Sequence, residues 1–139
     1  HKPGKTLEIN YFLINNSFYF VDLPGYGYAR VDPTEKEKLQ KLIVWYLTAS
    51  GAKLSKVVLV LDSKVGITEF DQQMMEILTE QGHSFILAAN KIDKLSQKEA
   101  HERIVAITKE SQAISPQAQV VPTSAESHDG VKLLLAALI

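Results

Sequence analysis

The sequence contains no cysteine among its 139 residues, which excludes a disulfide framework and any chemistry that needs a thiolate. It also lacks an excess of charge, because 15 basic and 16 acidic residues give a net charge of −1. Any nucleic-acid partner would therefore need a local basic surface. No apolar run approaches the roughly 20 residues of a membrane span, and the N-terminal residues lack a signal-peptide core. We expect a cytoplasmic monomer without a membrane partner.

What is present is an ordinary globular composition, with 45% hydrophobic and 22% charged residues and enough length for one compact domain. Leu7–Ile14 and Phe18–Val21 have strand-like patterns around the turn residues Asn15-Asn16-Ser17, so they predict a β-hairpin. Downstream, apolar strands alternate with amphipathic helices: strands at Lys56–Leu61, Ser84–Ala89 and Gln119–Thr123, and helices starting near Thr34, Thr68, Ser96 and Gly130.

This alternation predicts an α/β fold of three layers, in which helices cover both faces of a mostly parallel sheet. The hairpin would supply one antiparallel edge strand to that sheet. Trp45 and Tyr46 follow the apolar spacing of the first helix, so we expect both residues in the core or at its edge.

The segment Asn90-Lys91-Ile92-Asp93 follows the Ser84–Ala89 run, at the end of a sheet where α/β proteins bind ligands. An Asp there can accept hydrogen bonds from N1–H and the exocyclic amine of guanine, whereas adenine offers no such pair of donors. Asn90 can hydrogen-bond the base and tie neighbouring loops, and the alkyl stem of Lys91 can lie along the purine. A four-residue pattern of this kind is a weak signal alone, but its place after a strand predicts a guanine site.

Two other predicted strands also end in polar loops. Thr123-Ser124-Ala125 offers backbone N–H groups that can hold the guanine oxygen. In Asp22-Leu23-Pro24-Gly25, Asp22 can hold a Mg²⁺-bound water and the Gly25 N–H can approach a γ-phosphate. Each loop is common alone, but the three loops in this order predict a site for GTP and GDP with Mg²⁺.

Gly4-Lys5-Thr6 looks like the end of a phosphate-binding P-loop, but a P-loop needs a strand before it and a helix after it. Only three residues precede Gly4, and Thr6 runs into a predicted strand. We therefore interpret these nucleotide-binding candidates as a switch segment, in which the Thr6 hydroxyl coordinates Mg²⁺ and the backbone senses the γ-phosphate.

The segments Lys2–Phe12 (KPGKTLEINYF) and Phe20–Ala29 (FVDLPGYGYA) resemble the signatures of the EngB family, bacterial P-loop GTPases with a Ras-like fold. The resemblance implies that Thr6 is the switch I magnesium ligand, that Asp22 and Gly25 belong to switch II, and that Asp93 reads guanine. It also implies GTP hydrolysis, action in assembly of the large ribosomal subunit, and a link to cell division and septation. Potassium as an additional cation stays open.

Several departures qualify the resemblance. The family's first strand, P-loop and first helix would precede residue 1, and the last helix lacks a capping signal. We therefore expect residues 1–139 to form a GTPase domain that is incomplete at its N-terminus and its C-terminus, and inactive alone. The family more often has Thr at the place of Asn90, whereas Asn is the general GTPase residue.

No catalytic residue is assigned, because Tyr26 stands where many GTPases carry a water-orienting Gln. Tyr26, Tyr28 and Arg30 are candidates for a partner surface. Two alternatives stay open: a GTPase-like binding module that has no P-loop and does not hydrolyse GTP, and another doubly wound protein such as a flavodoxin-like enzyme.

Overall fold

The computed structural model describes residues 8–26 and 32–138 of the chain. The chain divides into two compact units, one ending at Ala52 and the other beginning at Lys53. Within the described ranges, no helix combines the length and the apolar character needed to cross a membrane.

The first unit contains an antiparallel hairpin of strands β1 (Asn10–Ile14) and β2 (Phe18–Asp22). Asn15 and Asn16 both have positive φ angles, 49° and 54°, and Ser17 N donates to Ile14 O at 2.9 Å. Two central residues with positive φ match the right-handed twist of the strands, and Asn tolerates this conformation better than most residues. The predicted hairpin is confirmed.

Helix α1 (Pro33–Thr48) follows in the same unit. Its Asp32 cap accepts a hydrogen bond from Glu35 N at 3.0 Å, and Pro33 stands in the first turn, where a missing N–H costs nothing. Tyr46 is buried and its hydroxyl accepts a hydrogen bond from the Tyr11 hydroxyl of β1 at 3.1 Å. Burial, with this hydrogen bond, raises the pKa of Tyr46 to about 12. The helix and the hairpin are thereby linked.

The expectation that Trp45 lies in the core or at its edge is wrong, because this side chain is 51% exposed. Neighbouring residues on a helix point about 100° apart, as 3.6 residues complete a turn. Tyr46 belongs to the buried face of α1, together with Leu39, Ile43 and Leu47. Trp45 therefore lies outside that buried face.

The second unit is built on three parallel strands, β3 (Val57–Asp62), β4 (Phe85–Asn90) and β5 (Gln119–Pro122), in the order β3-β4-β5. Four consecutive residues of the central strand β4, Ile86 to Ala89, are buried. A continuous apolar run of this kind is typical of a parallel strand covered on both faces.

Two helices make the crossovers between these strands, α2 (Glu69–Glu80) and α3 (Gln97–Ile114), and α4 (Val131–Leu138) follows β5. Each crossover helix begins with a capping box, Thr68 with Asp71 and Ser96 with Glu99, in which both partners satisfy backbone N–H groups. Both helix starts were predicted from these cap residues, and both are confirmed.

The predicted α/β class, with a parallel sheet and an antiparallel hairpin, is confirmed. Among the described residues, however, the backbone ladders form two separate sheets, a two-stranded one and a three-stranded one. Hydropathy indicates which segments are strands, but the pairing of backbone groups decides which strands share a ladder. The short 3₁₀ helix Ile92–Lys94 was not predicted. The single domain over residues 1–139 stays a prediction.

Replacing Leu87 by Ala should lower the free energy of unfolding of the second unit by about 2 to 5 kcal/mol. Leu87 lies in the middle of β4 and is 0% exposed, so its truncation leaves a cavity in the core. Denaturant unfolding followed by circular dichroism would measure the change. Val105→Ala on α3, where the side chain is 53% exposed, is the control and should change stability by less than about 0.5 kcal/mol. Equal losses in both variants would contradict this view of the core.

Candidate functional site

The carboxyl ends of all three parallel strands lie at one edge of the sheet. In the ladder Asp62 of β3 stands opposite Asn90 of β4, and Ala89 stands opposite Pro122 of β5. Each strand therefore delivers its following loop to the same edge. Because the predicted Asn90–Asp93 and Thr123–Ala125 segments follow neighbouring strands, the parallel register brings them together.

The backbone of Lys91 is left-handed, with φ 64° and ψ 28°. For a residue with a Cβ this conformation costs roughly 1–2 kcal/mol, so neighbouring contacts have to hold it. Lys94 N donates to Lys91 O at 3.0 Å, and Ile92 N donates to Thr123 O at 3.1 Å. These bonds close the 3₁₀ turn and attach it to the loop after β5.

The amide oxygen of Asn90 joins the two loops. It accepts hydrogen bonds from Thr123 Oγ1 and from Ala125 N, both at 3.2 Å. The backbone carbonyl oxygen of Asn90 accepts two further hydrogen bonds, from Ser63 N at 2.9 Å and from Ser63 Oγ at 2.6 Å. One residue thus connects the loops that follow all three strands.

Asp93 is held by a hydroxyl group from the same neighbouring loop. Ser124 Oγ donates to Asp93 Oδ1 at 2.7 Å, and Ser127 N donates in turn to Ser124 Oγ at 3.0 Å. Ser124 is 0% exposed, which fixes its position. Its hydrogen bond is the main reason that the pKa of Asp93 lies below the usual value. The carboxylate is therefore ionised and oriented at neutral pH.

The backbone N–H groups of the Thr123–Ala125 segment already have acceptors. Thr123 N donates to Ala89 O at 2.9 Å, Ser124 N to Asp129 O at 3.0 Å, and Ala125 N to Asn90 Oδ1 at 3.2 Å. If Ala125 N is to hold the guanine oxygen, it must share or exchange its bond to Asn90.

A glycine closes the loop after β5. Gly130 has φ +76°, and a Cβ at this position would lie 1.9 Å from Pro122 O and 3.3 Å from Thr123 Cα. Only a residue without a side chain fits such a close approach. The loop returns past the end of β5 at this point, and it brings Asp129 O to Ser124 N.

The other predicted site residues lie apart from this edge in the sequence. Asp22, at the end of β2, and Leu23, Pro24 and Gly25 belong to the first unit. Gly4, Lys5 and Thr6 lie outside the described residues, as do Tyr28 and Arg30. Within residues 8–26 and 32–138, no group of three or more His, Cys, Asp or Glu side chains is arranged to hold a metal ion.

This edge also includes four residues that the sequence patterns did not indicate: Asp62, Ser63, Arg103 and Gly130. Asp62 had a usable signal, because an acid ending an apolar run is the pattern that marked Asp22. Ser63 and Arg103 had none, since their contacts join residues that are far apart in the chain. Arg103, on α3, donates to Ser63 O and Lys64 O.

Gly130→Ala should destabilise the second unit by roughly 1–3 kcal/mol and displace the Thr123–Ala125 loop. The added methyl group would clash with the backbone of Pro122. Gly82→Ala is a matched control, because Gly82 has φ +72° and a methyl group added there would have no atom within 4 Å. The difference between their unfolding free energies isolates the clash from the backbone strain. Equal destabilisation would contradict a close approach at Gly130.

The chain is similar to known GTP-binding proteins in both sequence and fold. Residues 46–139 match the family model described as the elongation factor Tu GTP binding domain. The probable GTP-binding protein EngB of Chlorobaculum tepidum is 41% identical over 137 residues, which are 98% of this chain and 69% of that protein. The chain spans 62 to 64% of the length of three other EngB proteins, which it matches over 95 to 98% of its own length.

Solved structures agree on the fold. The crystal structure of a probable GTP-binding protein engB superposes with a TM-score of 0.78 at 20% identity, covering 94% of this chain and 81% of that one. Era in complex with MgGDPNP and nucleotides 1506–1542 of 16S ribosomal RNA gives a TM-score of 0.70 at 18% identity, covering 99% of this chain and 45% of that one. The fold is that of the P-loop GTPases, and the chain belongs to the EngB family of GTP-binding proteins.

Proposed function

We propose that the edge formed by the loops after β4 and β5 binds guanine, as part of a protein that hydrolyses GTP. The observation that carries this proposal is the hydrogen bond from buried Ser124 to Asp93. It holds an ionised carboxylate in one orientation at the carboxyl end of a parallel sheet, where α/β proteins bind ligands.

Guanine presents two parallel donors to such a carboxylate, N1–H and the exocyclic amine. Hydrogen bonds to a charged acceptor are stronger than those between neutral groups, and adenine would leave the carboxylate unpaired. Asn90 keeps the two loops at a fixed separation through Thr123 and Ala125. The alkyl stem of Lys91 would cover one face of the purine.

In the proposed reaction a water attacks the γ-phosphorus in line, the bond to the β-phosphate oxygen breaks, and GDP leaves. Asp22 would hold a water of Mg²⁺, which suits an ion that keeps several waters and takes few protein ligands. Thr6 is the other proposed Mg²⁺ ligand, and the Gly25 N–H would contact the γ-phosphate. Mg²⁺, when bound, supplies positive charge to the phosphate oxygens. Loss of the γ-phosphate would release Thr6 and Gly25 and switch the state of the protein.

The proposed biological role is assembly of the large ribosomal subunit in the cytoplasm, with an effect on cell division. The resemblance of the Lys2–Phe12 and Phe20–Ala29 segments to the EngB signatures supports this role. With a net charge of −1, the chain would contact RNA or ribosomal protein through a local surface rather than through its overall field.

Asp93→Asn should weaken GDP binding about 10- to 100-fold, because the exocyclic amine of guanine loses a charged acceptor. The same change should improve binding of xanthosine diphosphate, which has a carbonyl where guanine has the amine, and which the Asn amide can donate to. Competition against a fluorescent GDP measures both affinities and that of ADP.

Glu80→Gln is the matched control for this experiment. Glu80 is an exposed carboxylate at the end of α2, so its replacement removes the same charge at a position remote in sequence from the proposed base contact. The GDP affinity of this variant should stay within about twofold of that of the unchanged protein, as expected for a solvent-screened charge. An Asp93→Asn protein that keeps its preference for guanine over adenine would contradict the proposal.

Hydrolysis by the whole protein, measured without partners, should be slow, on the order of 10⁻⁴ to 10⁻² per second at most. Tyr26 stands in place of the usual Gln, and a phenol does not orient water as an amide does. Release of phosphate, measured in potassium and in sodium salts, tests the rate and the use of K⁺. Chelation of Mg²⁺ should abolish any turnover. A fast multiple-turnover rate would contradict the expectation, and complete inactivity with retained GDP binding would favour a non-hydrolysing module.

A further inference from the structure

Asp62 lies at the same edge of the sheet as the candidate guanine site. It ends β3, opposite Asn90 in the ladder. Its Oδ2 lies 3.3 Å from Lys91 Nζ, while Oδ1 accepts hydrogen bonds from Lys64 N at 2.9 Å and Val65 N at 3.4 Å. The two carboxylate oxygens therefore have different partners. Oδ1 is bound to the backbone of its own loop, and Oδ2 contacts the Lys91 ammonium group.

The loop that carries Asp62 is itself held from two sides. Arg103 Nε donates to Ser63 O at 3.1 Å, and Arg103 Nη2 donates to Lys64 O at 3.0 Å. Ser63 is 0% exposed and donates from both N and Oγ to Asn90 O. The planar guanidinium of Arg can serve two carbonyl groups at once, which a Lys ammonium cannot match in geometry.

Gly66 completes this clamp. It has φ +83°, and a Cβ there would lie 2.7 Å from Arg103 Nη2. Gly66 N also donates to Asp62 O at 2.8 Å, which closes the turn. Asp62 is thus presented by a turn with little freedom, anchored both to α3 and to the end of β4.

We propose that Asp62, held by the Arg103 clamp, is a positioning residue that sets the Lys91 side chain as one wall of the guanine pocket. The inference rests on the proposed guanine site and names a further residue for it. The left-handed backbone of Lys91 fixes only the start of the side chain, and four rotatable bonds follow. A fixed partner for Nζ selects among the conformations of the stem and so reduces the entropy lost when a base binds.

The charge state of Asp62 agrees with this role. Partial burial works against ionisation, but hydrogen bonds from Lys64 N and Lys91 outweigh it, so the pKa of Asp62 lies below its usual value. The side chains are 32% exposed for Asp62 and 59% for Lys91. A pair this exposed adds little to stability, so its effect should appear in binding rather than in folding.

The test is a double-mutant cycle on the 139-residue chain, built from Asp62→Asn and Lys91→Met. Asn keeps the acceptor for Lys64 N and Val65 N, and Met keeps an unbranched apolar stem without the ammonium. Asp62→Asn alone should weaken GDP binding roughly 3- to 10-fold. In the Lys91→Met background the same change should alter the affinity by less than about 1.5-fold, because the interaction is already absent.

Two further variants test the Arg103 clamp and control for the loss of charge. Arg103→Lys retains the charge but cannot bridge both carbonyl groups, so it should weaken GDP binding in the same direction and less in the Asp62→Asn background. Glu80→Gln, at the exposed end of α2, loses the same charge as Asp62→Asn and should leave the GDP affinity unchanged. Thermal unfolding of each variant shows whether the fold is retained.

Nuclear magnetic resonance titration of the Asp62 carboxyl group gives a second readout that needs no nucleotide. Its pKa should rise in Lys91→Met and stay unchanged in Glu80→Gln. An unchanged Asp62 pKa in Lys91→Met, or equal losses of GDP affinity in both backgrounds, would overturn the inference while leaving the guanine site standing. If the unaltered chain shows no preference for guanine, the proposed function fails, and the inference fails with it.

Discussion

The parallel ladder on both sides of β4 is the constraint on which the second unit depends. Its backbone groups pair with β3 on one side and β5 on the other, and its side chains from Ile86 to Ala89 are buried. Because all three strands run in one direction, their last residues meet at one edge. The polar residues there come from three separate stretches of sequence, and only this register brings them into hydrogen-bond distance.

Polar groups at this edge are largely satisfied by one another. Asn90 is the centre of the arrangement, since its side chain serves the loop after β5 and its carbonyl serves the loop after β3. Ser124 is fully buried, so its hydroxyl must keep partners, and it has Asp93 as acceptor and Ser127 N as donor. Loss of the acceptor of the buried Ser63 or Ser124 hydroxyl would leave a buried polar group unpaired, which favours a single form of the arrangement.

Local sequence signals predicted most of the elements, and those signals have local physical causes. Thr68 and Ser96 mark helix starts because each side chain caps its own helix, and Asn15-Asn16 mark a turn because Asn tolerates positive φ. Asn90, Lys91, Asp93 and the Thr123–Ala125 segment were predicted to act together because they follow successive strands. Two features that depend on distant pairs were missed, namely the separation into two sheets and the contact of Arg103 with Ser63. No short-range pattern in the sequence encodes these pairings.

The proposed base site belongs to a single compact unit, and this bears on how it would bind. Contacts within residues 62 to 130 hold all the parts of this site. They orient the Asp93 carboxylate, connect the loops after β4 and β5, and place the Lys91 side chain beside Asp62. Little rearrangement is then needed when guanine arrives, apart from the exchange at Ala125 N, so most of the interaction energy remains as affinity. The proposed phosphate contacts, by contrast, rest on Thr6, Asp22 and Gly25, which are remote in sequence. Recognition of the base and response to the γ-phosphate are therefore separable, and substitutions in one group should change one property without changing the other.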